Sequence, residues 1–227
     1  MNEFFRRNAL WVILAVGIAG WFVAGSVAKS APRAIPPTPQ NLIQAAPKPP
    51  AGQEIATLAA GCFWSNQAMY QKLKGVSKVE PGYAGGHTPN PTYDEVCTDQ
   101  TGYAESVQIT FDPKVISYHD LLTVFFGAHD PTTLNRQGPD EGTQYRSAIF
   151  YQTPEQKATA LQVKAEYQKS HPSMAPIVTQ IGPFTNFYRA ESYHYDYYAK
   201  HPDQPYCAAV VAPEIARFEE RFHSRLK

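Results

Sequence analysis

Apolar residues run without a charge from 10 to 28 and then stop. A helix over that stretch spans roughly 28 Å at about 1.5 Å per residue, close to the hydrocarbon thickness of a bilayer. Arg6 and Arg7 ahead of it hold the N-terminus in the cytoplasm and send the following chain across the membrane. Residues 1–28 therefore read as a signal-anchor transmembrane helix, or as a signal peptide cut near Ser26-Val27-Ala28. The length of the run, with Trp11 and Trp21 inside it, favours the anchor, because the apolar core of a signal peptide is usually about 7–15 residues. Residues 29–54 carry Pro32, Pro36, Pro37, Pro39, Pro47, Pro49 and Pro50. Such a segment favours extended polyproline II and packs no core. It reads as a linker of up to roughly 80 Å at about 3.1 Å per residue.

Past residue 54 the pattern becomes that of a folded domain, 55–227. Ile55-Ala56-Thr57-Leu58-Ala59-Ala60 is a short apolar run, which predicts a strand, and Asn66 to Leu73 reads as a helix. A second extended segment begins at Val76-Ser77-Lys78-Val79-Glu80. It ends in the turn-rich Tyr83-Ala84-Gly85-Gly86-His87-Thr88-Pro89-Asn90-Pro91. Tyr93 to Cys97 fits one helical turn. Val107, Ile109 and Phe111 alternate with Gln108, Thr110 and Asp112, the pattern of a half-buried strand. Leu121, Leu122, Phe125 and Phe126 repeat at helical spacing after Ser117. A polar loop follows through Asp140 and Gly142, then a strand at Ser147 to Tyr151. Thr153-Pro154-Glu155-Gln156 starts a helix, with Thr at the N-cap, Pro at the first position and Gln at the third. A last strand is expected at Ile177 to Ile181, then a Tyr- and His-rich tail and an amphipathic helix from about Pro213. The order β-α-β-β-α-β predicts an α+β two-layer sandwich with a ferredoxin-like core, additional helices and an irregular C-terminal tail.

Composition narrows the function. Formal net charge is zero and charged residues are 18%, so the chain has no basic footprint for nucleic acid. Three cysteines, Cys62, Cys97 and Cys207, are too few and too scattered for a disulfide scaffold, and they lack paired zinc-ligand spacing. No Gly-rich nucleotide fingerprint follows a strand, and no GxSxG occurs.

Gly61-Cys62-Phe63-Trp64 stands out. A cysteine where a strand turns into a helix meets unpaired N–H groups that stabilise a thiolate, so its pKa is expected below the ordinary value. Two aromatics beside it offer an apolar wall. Tyr93, Glu105, Asp140 and Tyr145 lie at loop or strand edges in apolar surroundings, where burial raises a carboxyl pKa and lets it keep a proton. Taken singly, each has an ordinary reading: a buried inert cysteine, a solvated carboxylate, a packing tyrosine. A Cys–His hydrolase remains open on residue types alone.

Together these residues carry a resemblance. Gly61-Cys62-Phe63-Trp64, Gly82-Tyr83-Ala84-Gly85-Gly86, Pro89-Asn90-Pro91-Thr92-Tyr93, Glu95-Val96-Cys97, Gly102 with Glu105, His129-Asp130-Pro131, Gly142-Thr143-Gln144-Tyr145-Arg146-Ser147 and Tyr206-Cys207 occur in one order. In that order the chain resembles the peptide methionine sulfoxide reductase A family over essentially all of 55–227. The resemblance implies that Cys62 attacks the sulfoxide sulfur while Phe63 and Trp64 hold the S-methyl group. Glu105 then protonates the sulfoxide oxygen with help from Tyr93 and Tyr145, and Asp140 orients the substrate backbone. Cys62 becomes a sulfenic acid, Cys207 resolves it to a disulfide, and a thioredoxin-like donor reduces that. The expected substrate is an oxidised peptide or protein carrying the (S)-sulfoxide. No bound cofactor or metal is implied. A monomer is expected, on the exported (periplasmic) side of the inner membrane, held through residues 10–28 if these are not cleaved.

The chain departs from the family where Ser65 and Gln67 stand for the more usual Gly and Glu, and where Tyr103 stands for His. These departures bear on how strongly Cys62 is activated and on the polarity beside Glu105. No second recycling cysteine follows Cys207, and Cys97 is expected to be a bystander. A hydrolase would act without reductant and without a Cys62–Cys207 disulfide. A tethered binding module for oxidised methionine would not act at all.

Overall fold

The computed structural model describes residues 42–43 and 48–227. The expectations for the anchor or signal peptide, and for most of the linker, concern residues outside that set. Leu42–Ile43 (β1) pairs with a strand far along the chain, so the proline-rich stretch expected to lie outside the fold adds two residues to a sheet edge.

The remaining elements follow in order. Glu54–Ala60 is β2, Phe63–Gln71 is α1, and Val76–Ala84 is β3. Tyr93–Val96 is α2, started by a capping box between Thr92 and Glu95. Ala104–Phe111 is β4, and Tyr118–Ala128 is α3, whose N-cap Ser117 accepts from the Asp120 N–H. The polar loop holds a small ribbon, Arg136–Gln137 (β5) against Asp140–Glu141 (β6). Ser147–Tyr151 is β7, and Pro154–Ser170 is α4, begun by Thr153 and Pro154 as their types predict. Gln180–Pro183 is β8, Phe187–Arg189 is β9, Tyr197–Lys200 is α5, and Ala212–Phe222 is α6. A π-helical turn, Cys207–Val211, leads into α6.

One sheet runs β1-β9-β3-β4-β2-β7-β8, antiparallel except where β8 lies parallel to β7. Its centre, β3-β4-β2-β7, takes strands two, three, one and four of the predicted core. Three expectations change. The last strand begins at Gln180, three residues beyond its expected start, since Ile177 packs into the core while Val178 bonds back to Pro131. The Tyr-rich tail contributes β9, which was not expected. Finally, β4 is not half-buried, because all eight of its residues are buried.

The reason lies in the sheet's second face. The first face carries the main core: Leu58, Val107, Ile109 and Phe111 under Phe63, Tyr70, Leu121, Phe125 and Phe126. On the second, Ala59, Ala84, Ala104 and Ala148 form a shallow patch, and Phe150 and Phe187 close over it from opposite sides of the sheet. Rings from β7 and β9 belong to one cluster because the sheet curls. Gly82 permits this, since a Cβ there would strike the Phe187 ring and the Tyr188 carbonyl. Burial on that side takes in Gln108 and Thr110 despite their polarity.

The turn that carries Cys62 is built between β2 and α1. Gly61 sits at φ +82°, a left-handed conformation that favours glycine. A Cβ at Gly61 would also lie 2.6 Å from the Gln137 side chain. The absent side chain therefore lets the β5–β6 ribbon rest on the Cys62 turn. Asn66 closes the turn from within the helix, donating to the carbonyls of Ala60 (3.0 Å) and Cys62 (2.9 Å). Gln67 holds the opposite side: it donates to the Val79 carbonyl at 3.2 Å and accepts the Asp196 N–H at 2.8 Å.

Candidate active site

Cys62 is the N-cap residue of α1, with its side chain buried and no side-chain cap on the helix. The N–H groups of Trp64 and Ser65 and the Tyr206 hydroxyl lie towards its sulfur, and each draws the thiol pKa down. Burial and the nearby Glu105 carboxyl outweigh them, and the thiol is held well above its ordinary value. The sequence expectation of a lowered pKa is thus overturned. A helix end contributes typically less than about 2 kcal/mol towards an anion, whereas full burial shifts a pKa by up to about 3–5 units.

Glu105 lies on β4 opposite Tyr83, with 1% of its surface exposed. Burial pushes its pKa up to about 8, and the Phe63 N–H, donating to Oε2 at 3.0 Å, offsets only part of that shift. The carboxyl therefore keeps its proton at neutral pH, as predicted, and sits at the helix start that holds Cys62. Burial and the same carboxyl raise the Tyr93 and Tyr145 phenols, so both remain O–H donors. Tyr145 ends the 3-10 turn Thr143–Tyr145 and senses Cys62 and Asp140 as well.

Asp140, on β6, accepts a 2.5 Å hydrogen bond from the Tyr206 hydroxyl, and burial raises its pKa. Tyr206 has one proton and gives it to Asp140. Cys62 competes for that proton once its sulfur carries charge, which is how the hydroxyl draws the thiol pKa down. The sequence reading did not assign Tyr206 a role.

The aromatic wall is larger than Phe63 and Trp64. The Trp64 indole stacks on Tyr197 at 3.8 Å between centroids and meets the edge of Tyr206 at 5.8 Å. Phe63 is buried and stacks with Tyr93 at 6.4 Å. Behind them is His194, which the sequence patterns did not mark and which accepts the Trp64 Nε1–H at 3.0 Å through Nδ1. Burial lowers its pKa to about 4, so it is neutral at physiological pH. The histidine of this cleft is committed to an indole, which removes the Cys–His pairing a hydrolase needs.

The structure thus gathers Cys62, Phe63, Trp64, Tyr93, Glu105, Asp140 and Tyr145 into one cleft. Cys207 is placed differently. It is wholly buried in the main core, directly after Tyr206, and all three cysteines are free thiols. Cys97 is exposed at the end of α2, against the Tyr93 phenol. Tyr103, two residues before Glu105 in the chain, is occupied elsewhere: its hydroxyl donates to the Thr88 carbonyl at 3.0 Å and accepts from Asn186 at 3.1 Å. Among the described residues no group of three or more His, Cys, Asp or Glu is gathered as for a metal ion. A surface groove of about 460 Å³ beside Gln67, Lys78 and Asp196 includes none of the cleft residues.

Comparison with known proteins agrees with this geometry. The profile of the family described as peptide methionine sulfoxide reductase matches residues 54–226. The peptide methionine sulfoxide reductase MsrA of Thermus thermophilus is 54% identical over 175 residues, covering 77% of this chain and 98% of that protein. Its counterpart in Saccharolobus solfataricus is 52% identical over 174 residues, covering 77% and 97%. Among solved structures, reduced Mxr1 from Saccharomyces cerevisiae aligns with a TM-score of 0.65 at 39% identity, covering 70% of this chain and 91% of that one. Methionine sulfoxide reductase A of Corynebacterium diphtheriae aligns with a TM-score of 0.65 at 31% identity, covering 75% and 92%.

Proposed function

The chain belongs to the peptide methionine sulfoxide reductase A family and is an enzyme of that activity, and from this premise we propose that it repairs the (S)-sulfoxide of methionine in exported proteins. The observation that carries the mechanism is Glu105, a buried carboxyl kept protonated near neutral pH beside the cysteine at the start of α1. A sulfoxide is a poor electrophile until its oxygen takes a proton, and a neutral carboxyl supplies one.

The substrate lies with its methyl group against Phe63 and Trp64, and its oxygen faces Glu105, Tyr93 and Tyr145. Asp140 takes a backbone N–H of the peptide. Glu105 delivers its proton to the oxygen as the Cys62 sulfur attacks the sulfoxide sulfur. The S–H proton of Cys62 passes to the carboxylate just formed. The hydroxyl then passes from the substrate sulfur to the Cys62 sulfur as the transient S–S bond breaks, so methionine leaves as the thioether, Cys62 becomes a sulfenic acid, and Glu105 is neutral again. The Cys207 thiol then attacks the sulfenic sulfur, water departs, and a Cys62–Cys207 disulfide forms. Two thiols of an external thioredoxin-like protein reduce it by exchange. Because Cys207 is buried in the core, the turn Cys207–Val211 unwinds to bring the two sulfurs together. That turn is π-helical, a less stable arrangement than an α-helix and one often found at functional sites.

We also read β2-α1-β3-β4-α3-β7 as a ferredoxin-like core, on the strand order and antiparallel pairing at the sheet's centre. Export rests on the apolar run 10–28 with Arg6 and Arg7 before it. A monomer tethered there would meet its reductant outside the cytoplasm. The test uses a peptide with a stereochemically defined methionine sulfoxide and dithiothreitol. The wild type reduces the (S) epimer and Cys62→Ser does not; full activity in Cys62→Ser would remove the nucleophile from the mechanism.

A further inference from the structure

The oxygen side of the cleft is carried by two very short elements. Tyr93 opens α2, four residues long, and Tyr145 closes a 3-10 turn of three. Neither length makes a stable helix alone. The turn has no side-chain cap of its own, since Gly142 stands at its N-cap. Asp99 supplies one from 44 residues earlier. Its Oδ1 accepts the Thr143 N–H at 2.6 Å and the Thr143 hydroxyl at 2.8 Å. Asp99 also ends the turn that follows α2, where its own N–H donates to the Val96 carbonyl at 3.3 Å. It does so at φ +64°, a left-handed conformation that residues other than glycine rarely adopt. One side chain thus joins the end of the element bearing Tyr93 to the start of the element bearing Tyr145.

The surroundings show which element this link steadies. The 3-10 turn is fixed a second time by Arg146, which donates to the Thr143 carbonyl through Nη1 and to the Gly102 carbonyl through Nη2, each at 2.9 Å. Gly102 stands three residues before Glu105, so the turn is tied to the start of β4 whether or not Asp99 holds it. Helix α2 is held from a distance at its start, where Glu191 Oε1 accepts the Tyr93 N–H at 2.9 Å. Asp99 holds its other end. We infer that Asp99 is a positioning residue of the reductase step, setting the Tyr93 phenol against Tyr145 and Glu105 around the sulfoxide oxygen. The inference rests on the reductase reading above. With Asp99 in place, α2 is anchored at both ends. Without it the helix pivots on the Tyr93 N–H while Tyr145 and Glu105 stay, and the phenol swings out of line with the oxygen. Asp99 therefore acts on rate through Tyr93, and the wall of Phe63 and Trp64 that receives the methyl group is left as it was.

The experiment uses the full-length, pre-reduced protein and a peptide carrying (S)-methionine sulfoxide. Methionine release is followed in a single turnover, which gives a maximal rate and a half-saturating peptide concentration. Glycine suits the left-handed backbone, so Asp99→Gly removes the link without adding strain. Its Tm is expected within about 4 °C of wild type. Its maximal rate should fall by about tenfold with half-saturation changed by less than about threefold, the signature of a misplaced donor with binding intact. Asp99→Asn keeps an oxygen that accepts both Thr143 bonds and tolerates this backbone, so it should stay within about twofold of wild type. In Tyr93→Phe, which has no phenol to place, adding Asp99→Gly should slow release by less than about twofold. If Asp99→Gly does not fold, Thr143→Val, which loses the hydroxyl bond alone, carries the same comparison at about threefold. A wild-type rate in the folded variant, an equal loss in Asp99→Asn, or the full loss on top of Tyr93→Phe would overturn the proposal. A wild type inactive on the peptide would instead remove the reductase reading.

Discussion

Replacing Glu105 by Gln is expected to stabilise the protein at neutral pH while nearly abolishing its chemistry. The ordinary carboxyl value is 4.5 and the buried one is about 8. Between those values the unfolded chain has released this proton and the folded chain has not. The unfolded state binds fewer protons, so stability falls as pH rises through that window. From pH 4.5 to pH 7 the window spans about 2.5 units at about 1.4 kcal/mol each, or roughly 3 kcal/mol of stability lost to keeping a protonated acid in the cleft. Gln keeps the shape, still accepts the Phe63 N–H and never ionises. In urea melts Glu105→Gln should therefore exceed wild type by roughly 3 kcal/mol at pH 7, or about 6–12 °C in Tm, with the difference vanishing near pH 4.5. In single-turnover reduction of a sulfoxide peptide the same variant should be slower by about 10²–10⁴-fold. Wild-type kcat/KM should fall as pH rises past about 8, where Glu105 loses its proton, and Glu105→Gln should lack that limb. Equal stability of the two proteins at pH 7, with parallel pH profiles, would refute the buried neutral acid.

Cys207→Ala should release one equivalent of methionine per enzyme and then stop when a thioredoxin-like protein is the only reductant; an unchanged steady-state rate would take Cys207 out of the cycle. Tyr206→Phe removes a hydrogen bond that draws the Cys62 pKa down, so the thiol pKa rises further. Alkylation of Cys62 by iodoacetamide at pH 8 should slow by about threefold to tenfold, the worth of one ordinary hydrogen bond. An unchanged rate would mean that Tyr206 serves only Asp140.

Local chemistry made parts of this fold legible in the sequence. Thr153, Pro154 and Gln156 marked the start of α4 because caps are made by near neighbours, and the Thr153 side chain does accept the Gln156 N–H. Strand β9 was hidden because Phe187-Tyr188-Arg189 has no apolar run of its own; it forms by pairing with β3, about a hundred residues earlier. The curl that buries the polar side of β4 gathers Phe150 and Phe187 into one cluster from far apart in sequence, which periodicity along one strand cannot register. In the site, ordered motifs pointed to Cys62, Tyr93, Glu105, Asp140 and Tyr145, and all five meet. Glu191 and His194 escaped because their bonds cross 98 and 130 residues, and one acid and one histidine in a Tyr-rich tail look like surface.

The misjudged pKa of Cys62 has a chemical consequence. A helix start by itself makes a thiolate, and a standing thiolate reacts with any oxidant that reaches it. Here Glu105 is close enough that its charge disfavours a thiolate on Cys62, and burial disfavours both charges. At neutral pH the stable arrangement is therefore thiol plus carboxylic acid, which is poorly nucleophilic. A sulfoxide changes that balance. In the proposed mechanism its oxygen, lodged among Glu105, Tyr93 and Tyr145, takes the carboxyl proton, and the carboxylate left behind takes the S–H proton. The N–H groups of Trp64 and Ser65 then stabilise charge on sulfur during the attack, when it is needed. The same burial that keeps Cys62 quiet also sets Glu105 near the working pH, where one carboxyl gives a proton and takes one back within a turnover. Reactivity in this cleft is thus tied to an occupied oxygen site, and the helix end assists an attack that it cannot start alone.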